Sequence, residues 1–278
     1  MRIAVLSGKG GAGKTYISVN LAVTAKNATY VDCDVEEPNG RLFLKPEGVK
    51  THTVNVKRPV FDEDKCNGCR RCVDFCKFHA LVYIKKKPMV FEDVCHSCGG
   101  CKIVCPANAV SEQDKPIGTI EEGMHGDTKV ITGILDFGEA SGVPVIHKAL
   151  EMSRKNEGLT IIDCPPGSAC PVMESVEDAD FCLLVVEPTA FGFHNFCMVY
   201  ELVTLMNKPC GIVINKMDTE YEPLEEFCRE NKIPVFMRIP FTEKTAQICA
   251  GGNIACEVDE ETAEMFRSLL HKIGGAVS

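Results

Sequence analysis

Three groups of residues in this 278-residue chain are placed to do chemistry. Gly8-Lys9-Gly10-Gly11-Ala12-Gly13-Lys14-Thr15 matches the pattern G-x4-G-K-S/T. In that pattern glycines let backbone N–H groups wrap phosphates, the lysine (Lys14) reaches the terminal phosphates, and the hydroxyl (Thr15) ligates Mg²⁺. Cysteine is abundant, 17 in all, and eight of these fall in two runs of one spacing: Cys66-x2-Cys69-x2-Cys72-x3-Cys76 and Cys95-x2-Cys98-x2-Cys101-x3-Cys105. Thiolates at that spacing are soft metal ligands. Aspartates close two apolar stretches, as Asp32-Cys33-Asp34 and as Asp163 ahead of Pro165-Pro166-Gly167.

The elements that position these groups alternate. The apolar run Ile3 to Leu6 predicts a strand, and Tyr16 to Ala25 a helix, so the glycine loop joins strand to helix, the context a phosphate site requires. Thr29 to Val31 reads as a second strand that delivers Asp32 and Asp34 at its C-terminal end, where open α/β sheets place ligands. Further strands are predicted at Leu159 to Asp163, Phe181 to Val186, Cys210 to Ile214 and Val235 to Arg238. Helical patterns lie at Val143 to Asn156, Phe193 to Met206, Leu224 to Asn231 and Thr242 to Ala250. The alternation predicts an α/β fold with a doubly wound, mostly parallel sheet.

A composition of 45% hydrophobic and 25% charged residues describes an ordinary folded chain, and a net charge of -9 argues against a nucleic-acid binder. No apolar run approaches the roughly 18 residues of a membrane span and no signal-peptide pattern is evident, so a cytoplasmic location is expected. In that compartment disulfides are rare and cysteines read as metal ligands.

Lys9, beside Gly8, makes the loop K-G-G-x-G-K-T, which resembles the deviant Walker A of the MinD/ParA/nitrogenase-iron-protein class of P-loop ATPases. The resemblance implies that Lys9 crosses to the nucleotide of a partner subunit, and so a homodimer, or a heterodimer with a related ATPase. It implies that Asp34 orients the attacking water, that Asp32 sits in the outer Mg²⁺ shell, and that Asp163 holds that shell from a Walker B position. The nucleotide is then expected against Gly8 to Thr15 and Tyr16. Asn215-Lys216-Met217-Asp218 spells N-K-x-D, the guanine-reading motif of GTPases, but the deviant loop belongs with ATP users. On that footing Asn215 is an adenine contact, and Arg238-Ile239-Pro240-Phe241 resembles the family's I-P loop beside the base. Cys170 lies seven residues after Asp163, the spacing at which the nitrogenase iron protein carries a shared cluster ligand. A free cysteine is more often a buried small hydrophobe, the expectation also for Cys182, Cys197, Cys210, Cys228, Cys249 and Cys256.

The doubled cysteine run resembles the bacterial two-cluster ferredoxin, in which the fourth cysteine of each run ligates the other cluster. One 4Fe–4S cluster would take Cys66, Cys69, Cys72 and Cys105, and the second Cys95, Cys98, Cys101 and Cys76. Pro106 follows the second run as expected, whereas Lys77 follows the first. Zinc ribbons use pairs of C-x2-C instead. The expected organisation is an ATPase domain in two parts, 1–60 and 112–278, around an inserted α+β ferredoxin-like domain at 61–111. Such a union implies ATP, Mg²⁺ and two 4Fe–4S clusters as cofactors, with ATP-gated electron transfer to a redox or Fe–S acceptor protein. ATP-dependent cluster or metallocofactor assembly is the alternative, and a positioning switch the third. The C-terminal segment Asp259 to Ile273 has one apolar helical face, but from Glu257 to Lys272 five acidic residues stand against Arg267 and Lys272, which disfavours a membrane anchor.

Overall fold

The computed structural model describes residues 1–85 and 87–277. In chain order the elements are β1 (Arg2–Leu6), α1 (Lys14–Thr24), β2 (Thr29–Asp32), α2 (Gly40–Leu44), β3 (Glu47–Phe61), α3 (Arg71–Phe75), β4 (Leu81–Ile84) and β5 (Lys87–Val90). There follow α4 (Gly100–Ile103), β6 (Val110–His125), β7 (Thr128–Leu135), α5 (Val143–Ser153), β8 (Thr160–Asp163), α6 (Cys170–Val176), β9 (Phe181–Val186) and α7 (Ala190–Leu205). The chain ends with β10 (Cys210–Met217), α8 (Glu222–Glu230), β11 (Val235–Pro240), α9 (Glu243–Ala250), α10 (Ala255–Val258) and α11 (Glu260–Val277).

Nine strands form one sheet in the order β11-β10-β9-β1-β8-β2-β7-β6-β3. From β11 to β7 neighbours run parallel. Strands β8 and β9 are buried along their whole length, as parallel strands covered on both faces must be. Alternate residues feed two cores: Ala4 and Leu6 pack under α5, α6 and α7, while Ile3 and Val5 face α1 and α11. This is the doubly wound arrangement that the alternation predicts.

The far edge departs from it. β6 pairs antiparallel with β7, and β3 antiparallel with β6, from Glu47↔Met124 to Phe61↔Val110. Of these two long strands the sequence alternates in a β-like way only within β6, over Pro116 to Ile120. β3 is mostly exposed, with Val54 and Arg58 its buried residues, so it lacks the one-sided apolar stripe by which a strand is read. The described residues between 62 and 109 emerge from the end of this ribbon. They hold α3, the β4–β5 hairpin and α4. The lysine-rich, β-like stretch of sequence between the two cysteine runs supplies these two strands.

The apolar face of α11 is spent internally. Phe266, Leu269 and Ile273 are fully buried, and the Phe266 ring meets Tyr16 of α1 edge-on, centroids 5.8 Å apart. Among the described residues no helix is long and apolar enough to cross a membrane. Because α11 supports the helix that follows the glycine loop, Phe266→Ala should cost about 3–4 kcal/mol of stability in urea unfolding. A loss below about 1 kcal/mol would show that this contact does not hold α11 in place.

Candidate functional site

The glycine loop lies at the C-terminal end of β1, between β8 and β9 and beside α7. Gly11 and Gly13 have φ of 79° and 98°, and a Cβ on Gly13 would fall 2.1 Å from Asn215 Nδ2. That close approach is used: Asn215 Nδ2 donates to the Ala12 carbonyl at 2.8 Å, and Lys216 Nζ to the Gly11 carbonyl at 2.6 Å. Gly8 is pressed against the backbone of Asn195 in α7, where a Cβ would sit 2.2 Å from a carbonyl oxygen. The loop is thus fixed before any ligand arrives.

It opens into a cleft of about 1370 Å³ lined by Gly10, Gly11, Gly13, Lys14, Thr15, Tyr16, Asp34, Asn215 and Pro240, all expected from sequence. Leu42, Phe43, Phe241, Thr242, Thr245 and Cys249 wall one side, and the loop from Asp136 to Gly142 the other. Lys14 is buried with its amine at the cleft. Asp34 is half-buried; burial lifts its carboxyl to about 6, with the Lys14 charge opposing the rise.

Behind the cleft, Asp32 and Asp163 sit opposite each other on neighbouring strands and are fully buried. Burial, then the Asp163 charge, pushes Asp32 well above the usual carboxylate range; burial also raises Asp163, against the pull of Lys14. Tyr30 donates its hydroxyl to Asp163 Oδ2 at 2.9 Å, with Asp32 Oδ2 at 3.3 Å, and the Gly40 and Asp34 N–H groups donate to Asp32 at 3.0 and 3.2 Å. Asp163 Oδ1 is left buried with no hydrogen-bond partner. A buried acceptor beside Lys14 and Thr15 is what a hydrated Mg²⁺ requires, so the residues fit that ion. Tyr30 escaped the sequence reading, although it lies two residues before Asp32 on the same strand and therefore on the same face.

Lys9 does not line the cleft. Its amine pairs with Glu187 Oε2 and stands 5.5 Å above the Phe191 ring, within its own chain. Lys216 takes the other carboxylate oxygen at 3.0 Å. Burial works to raise the Glu187 carboxyl, but Lys9 and Lys216 together hold it below the usual range. Glu187 follows β9 directly, a ligand position that its place at a strand end could have disclosed.

The eight cysteines of the doubled run surround two cavities. Cys66, Cys69, Cys72 and Cys105 line one, while Cys76, Cys95, Cys98 and Cys101, with Cys72 at the border, line the other. Each set takes three thiols from one run and the fourth from the other. The repeat extends to the backbone: Gly68 and Ser97, Arg70 and Gly99, and His79 and Asn108 occupy equivalent positions after their cysteines, and all have left-handed φ. Among the described residues no three His, Cys, Asp or Glu converge as a single metal ion would require. The thiols stand around a volume instead. Ser97 Oγ is buried there without a partner, and the Ala109 N–H already donates to Cys105 Sγ at 3.3 Å. This donor set suits a polynuclear sulfide centre rather than one zinc ion.

Beside the two aspartates Asp32 and Asp163, Cys33 and Cys164 are fully buried, with thiols raised by burial. Cys170 is exposed at the start of α6, not buried as a free cysteine usually is. Cys182 and Cys228 are core residues, whereas Cys197, Cys210, Cys249 and Cys256 are only half-buried.

A family model for the CobQ/CobB/MinD/ParA nucleotide-binding domain matches residues 3–253. The chain belongs to this family. Two uncharacterized proteins of Methanocaldococcus jannaschii are similar along most of their length. One is 33% identical over 98% of this chain and 96% of its own, the other 30% identical over 78% and 80%. Among solved structures, the cell division ATPase MinD of Pyrococcus furiosus superposes with a TM-score of 0.61 at 18% identity, covering 99% of this chain and 98% of that one. The septum site-determining protein MinD of Pyrococcus horikoshii, complexed with Mg-ADP, gives 0.60 at 16% identity over 100% and 98%. At such identities the MinD structures speak for the fold alone.

The carboxylate pair yields a test. In Asp163→Asn the amide oxygen keeps the Tyr30 bond, and its nitrogen takes the place of the unpartnered Oδ1. Removing one of two buried like charges should raise the nucleotide-free melting temperature by about 2–4 °C, the effect of about 1 kcal/mol in a domain of this size. The further rise on adding Mg²⁺ and ATP should disappear. Scanning calorimetry that finds the nucleotide-free variant less stable would refute the like-charge account.

Proposed function

We propose that this protein is an ATP-hydrolysing dimer that gates electron transfer to a partner protein through an inserted ferredoxin-like domain at 61–111, the ATPase being 1–60 and 112–278. The observation that carries the reading is the crosswise sharing of cysteines between two cavities at the end of a ribbon rooted beside the nucleotide cleft.

On the ATPase side, the loop amides from Gly10 to Thr15 and the Lys14 amine hold the β- and γ-phosphates. Thr15, Asp163 and Asp32 are the residues that would hold Mg²⁺, which would supply charge neutralisation at the phosphates. Asp34 orients the attacking water, which needs the ionised carboxylate present above about pH 6. Asn215, its nitrogen spent on the Ala12 carbonyl, keeps its oxygen for the amine of adenine, with Tyr16 and Pro240 at the sides of the base. Lys9 leaves Glu187 to reach the nucleotide of the other subunit. Two 4Fe–4S clusters, when bound, supply one-electron carriers. Cys66, Cys69, Cys72 and Cys105 would hold one, and Cys95, Cys98, Cys101 and Cys76 the other.

A second reading, cluster or metallocofactor assembly, is favoured by the exposure of Cys69 and Cys98, one thiol in each set. A positioning switch is in keeping with the MinD/ParA family, though not in a membrane-anchored form, because the apolar face of α11 is committed to the core.

Anaerobically purified protein should contain about eight iron atoms and about eight acid-labile sulfides per chain. Redox titration with and without MgATP should then give different midpoint potentials. Zinc without sulfide would overturn the ferredoxin reading, and identical potentials together with cluster release to an apo-acceptor would favour assembly. The Lys9 contact makes a separate prediction for light scattering. Glu187→Gln should dimerise at several-fold lower ATP concentration than wild type, because Lys9 is no longer held, whereas Lys9→Ala should stay monomeric. Equal dimerisation in all three proteins would remove the trans role of Lys9.

A further inference from the structure

The nucleotide cleft and the second cysteine cavity are joined by a buried ion pair that neither site needs for itself. Glu139 belongs to the loop from Asp136 to Gly142, which lines the cleft. Its carboxylate accepts from Arg58 Nη2 at 2.9 Å and from Lys115 Nζ at 3.0 Å. Arg58, on β3, is 4% exposed, and its Nη1 donates to the backbone carbonyl of Cys95, the first cysteine of the second run. Its Nε is buried without a partner. A guanidinium so enclosed has few alternative positions, because any other would strand a buried charge.

At the other end the loop is tied to Asp34. Val35, the next residue, is 3% exposed and wedged between two glycines: a Cβ on Gly133 or on Gly142 would come within 2.6 Å of one of its methyl carbons. Its carbonyl accepts the Leu135 N–H at 2.9 Å, and the Asp136 N–H is held by the Ile117 carbonyl of β6 at 2.9 Å. Displacement of the Asp34 segment on meeting a γ-phosphate therefore presses directly on the loop that carries Glu139. Close packing transmits such a shift because interiors have little compressible space.

We propose that Arg58 and Glu139 are positioning residues that carry the state of the nucleotide cleft to the second cysteine run, by moving a guanidinium against the carbonyl of Cys95. The inference rests on the gated electron-transfer reading and names its route. A cation bonded next to a ligand thiolate favours the more negative, reduced state of a centre there, so withdrawing it favours the oxidised state. Linkage makes the effect reciprocal: reduction must change nucleotide affinity by the factor by which nucleotide changes the reduction equilibrium.

The test is isothermal titration of the non-hydrolysable analogue AMP-PNP, with Mg²⁺, into oxidised and dithionite-reduced holoprotein, with iron and sulfide counted in each sample. Wild type should show affinities differing at least threefold between the two states. Glu139→Gln and Arg58→Gln should each bring the ratio close to one, the double variant should go no further, and Arg58→Lys should restore part of it. Variants with full iron content that keep the wild-type ratio would overturn the route while leaving the gating reading intact. A ratio of one in wild type would overturn both. Should a variant fail to load iron, hydrogen–deuterium exchange on cluster-free protein gives the second measurement. AMP-PNP should alter exchange at residues 92–98 in wild type and not in Glu139→Gln, and the same change in both would overturn the route.

Discussion

Two carboxylates that cannot comfortably both be charged lie at the centre of this molecule. Asp32 and Asp163 are brought side by side by the register of β2 and β8, at strand ends sealed from solvent. Tyr30 and two backbone amides share out the hydrogen bonds available to them, and Lys14 is the nearby cation. The fold thus concentrates buried carboxylate charge that a divalent cation relieves. Ligand binding is then coupled to the segment that follows Asp32, because Asp34 and Gly40 hang from the same carboxylate.

Two sets of contacts run outward from the cleft. One leads to Lys9, which is withheld from the cleft by Glu187 and Phe191. The other passes through Val35 to the wall of the cleft and the root of the ribbon. Neither path uses a flexible tether. The path through Val35 consists of buried contacts with little room, the condition under which a small local displacement becomes a change of arrangement.

Much of this was legible in the chain. Strands buried on both faces announce themselves as continuous apolar runs, so β1, β2, β8 and β9 are legible to within one residue at each end, whereas β10 and β11 are legible at their starts and run two or three residues further. The glycine loop was found because its pattern sits between such a strand and a helix. The cysteine spacing survived into space because the two runs also share their left-handed backbone positions, Gly68 with Ser97 and Arg70 with Gly99. What was not legible shares one physical character. β3 is exposed, so it has no hydrophobic contrast. Glu187, Tyr30, Arg58 and Glu139 matter through partners remote in sequence, and a single side chain carries no mark of a partner 81 residues away. Asn215 shows the converse: its motif points to a base, yet its nitrogen is occupied in bracing the loop.

The ribbon's final rung has a consequence of its own. Phe61 and Val110 are direct partners across an antiparallel pair, so the 48 intervening residues begin and end at adjacent points. Closing a chain between such points requires no more than a tight turn, and the cost of a longer excursion grows only with the logarithm of its length. To the ATPase, the cysteine-bearing segment is topologically a hairpin tip. A sheet edge of this kind is a place where a whole domain can be gained or lost in a lineage without any strand of the parallel sheet changing its neighbour.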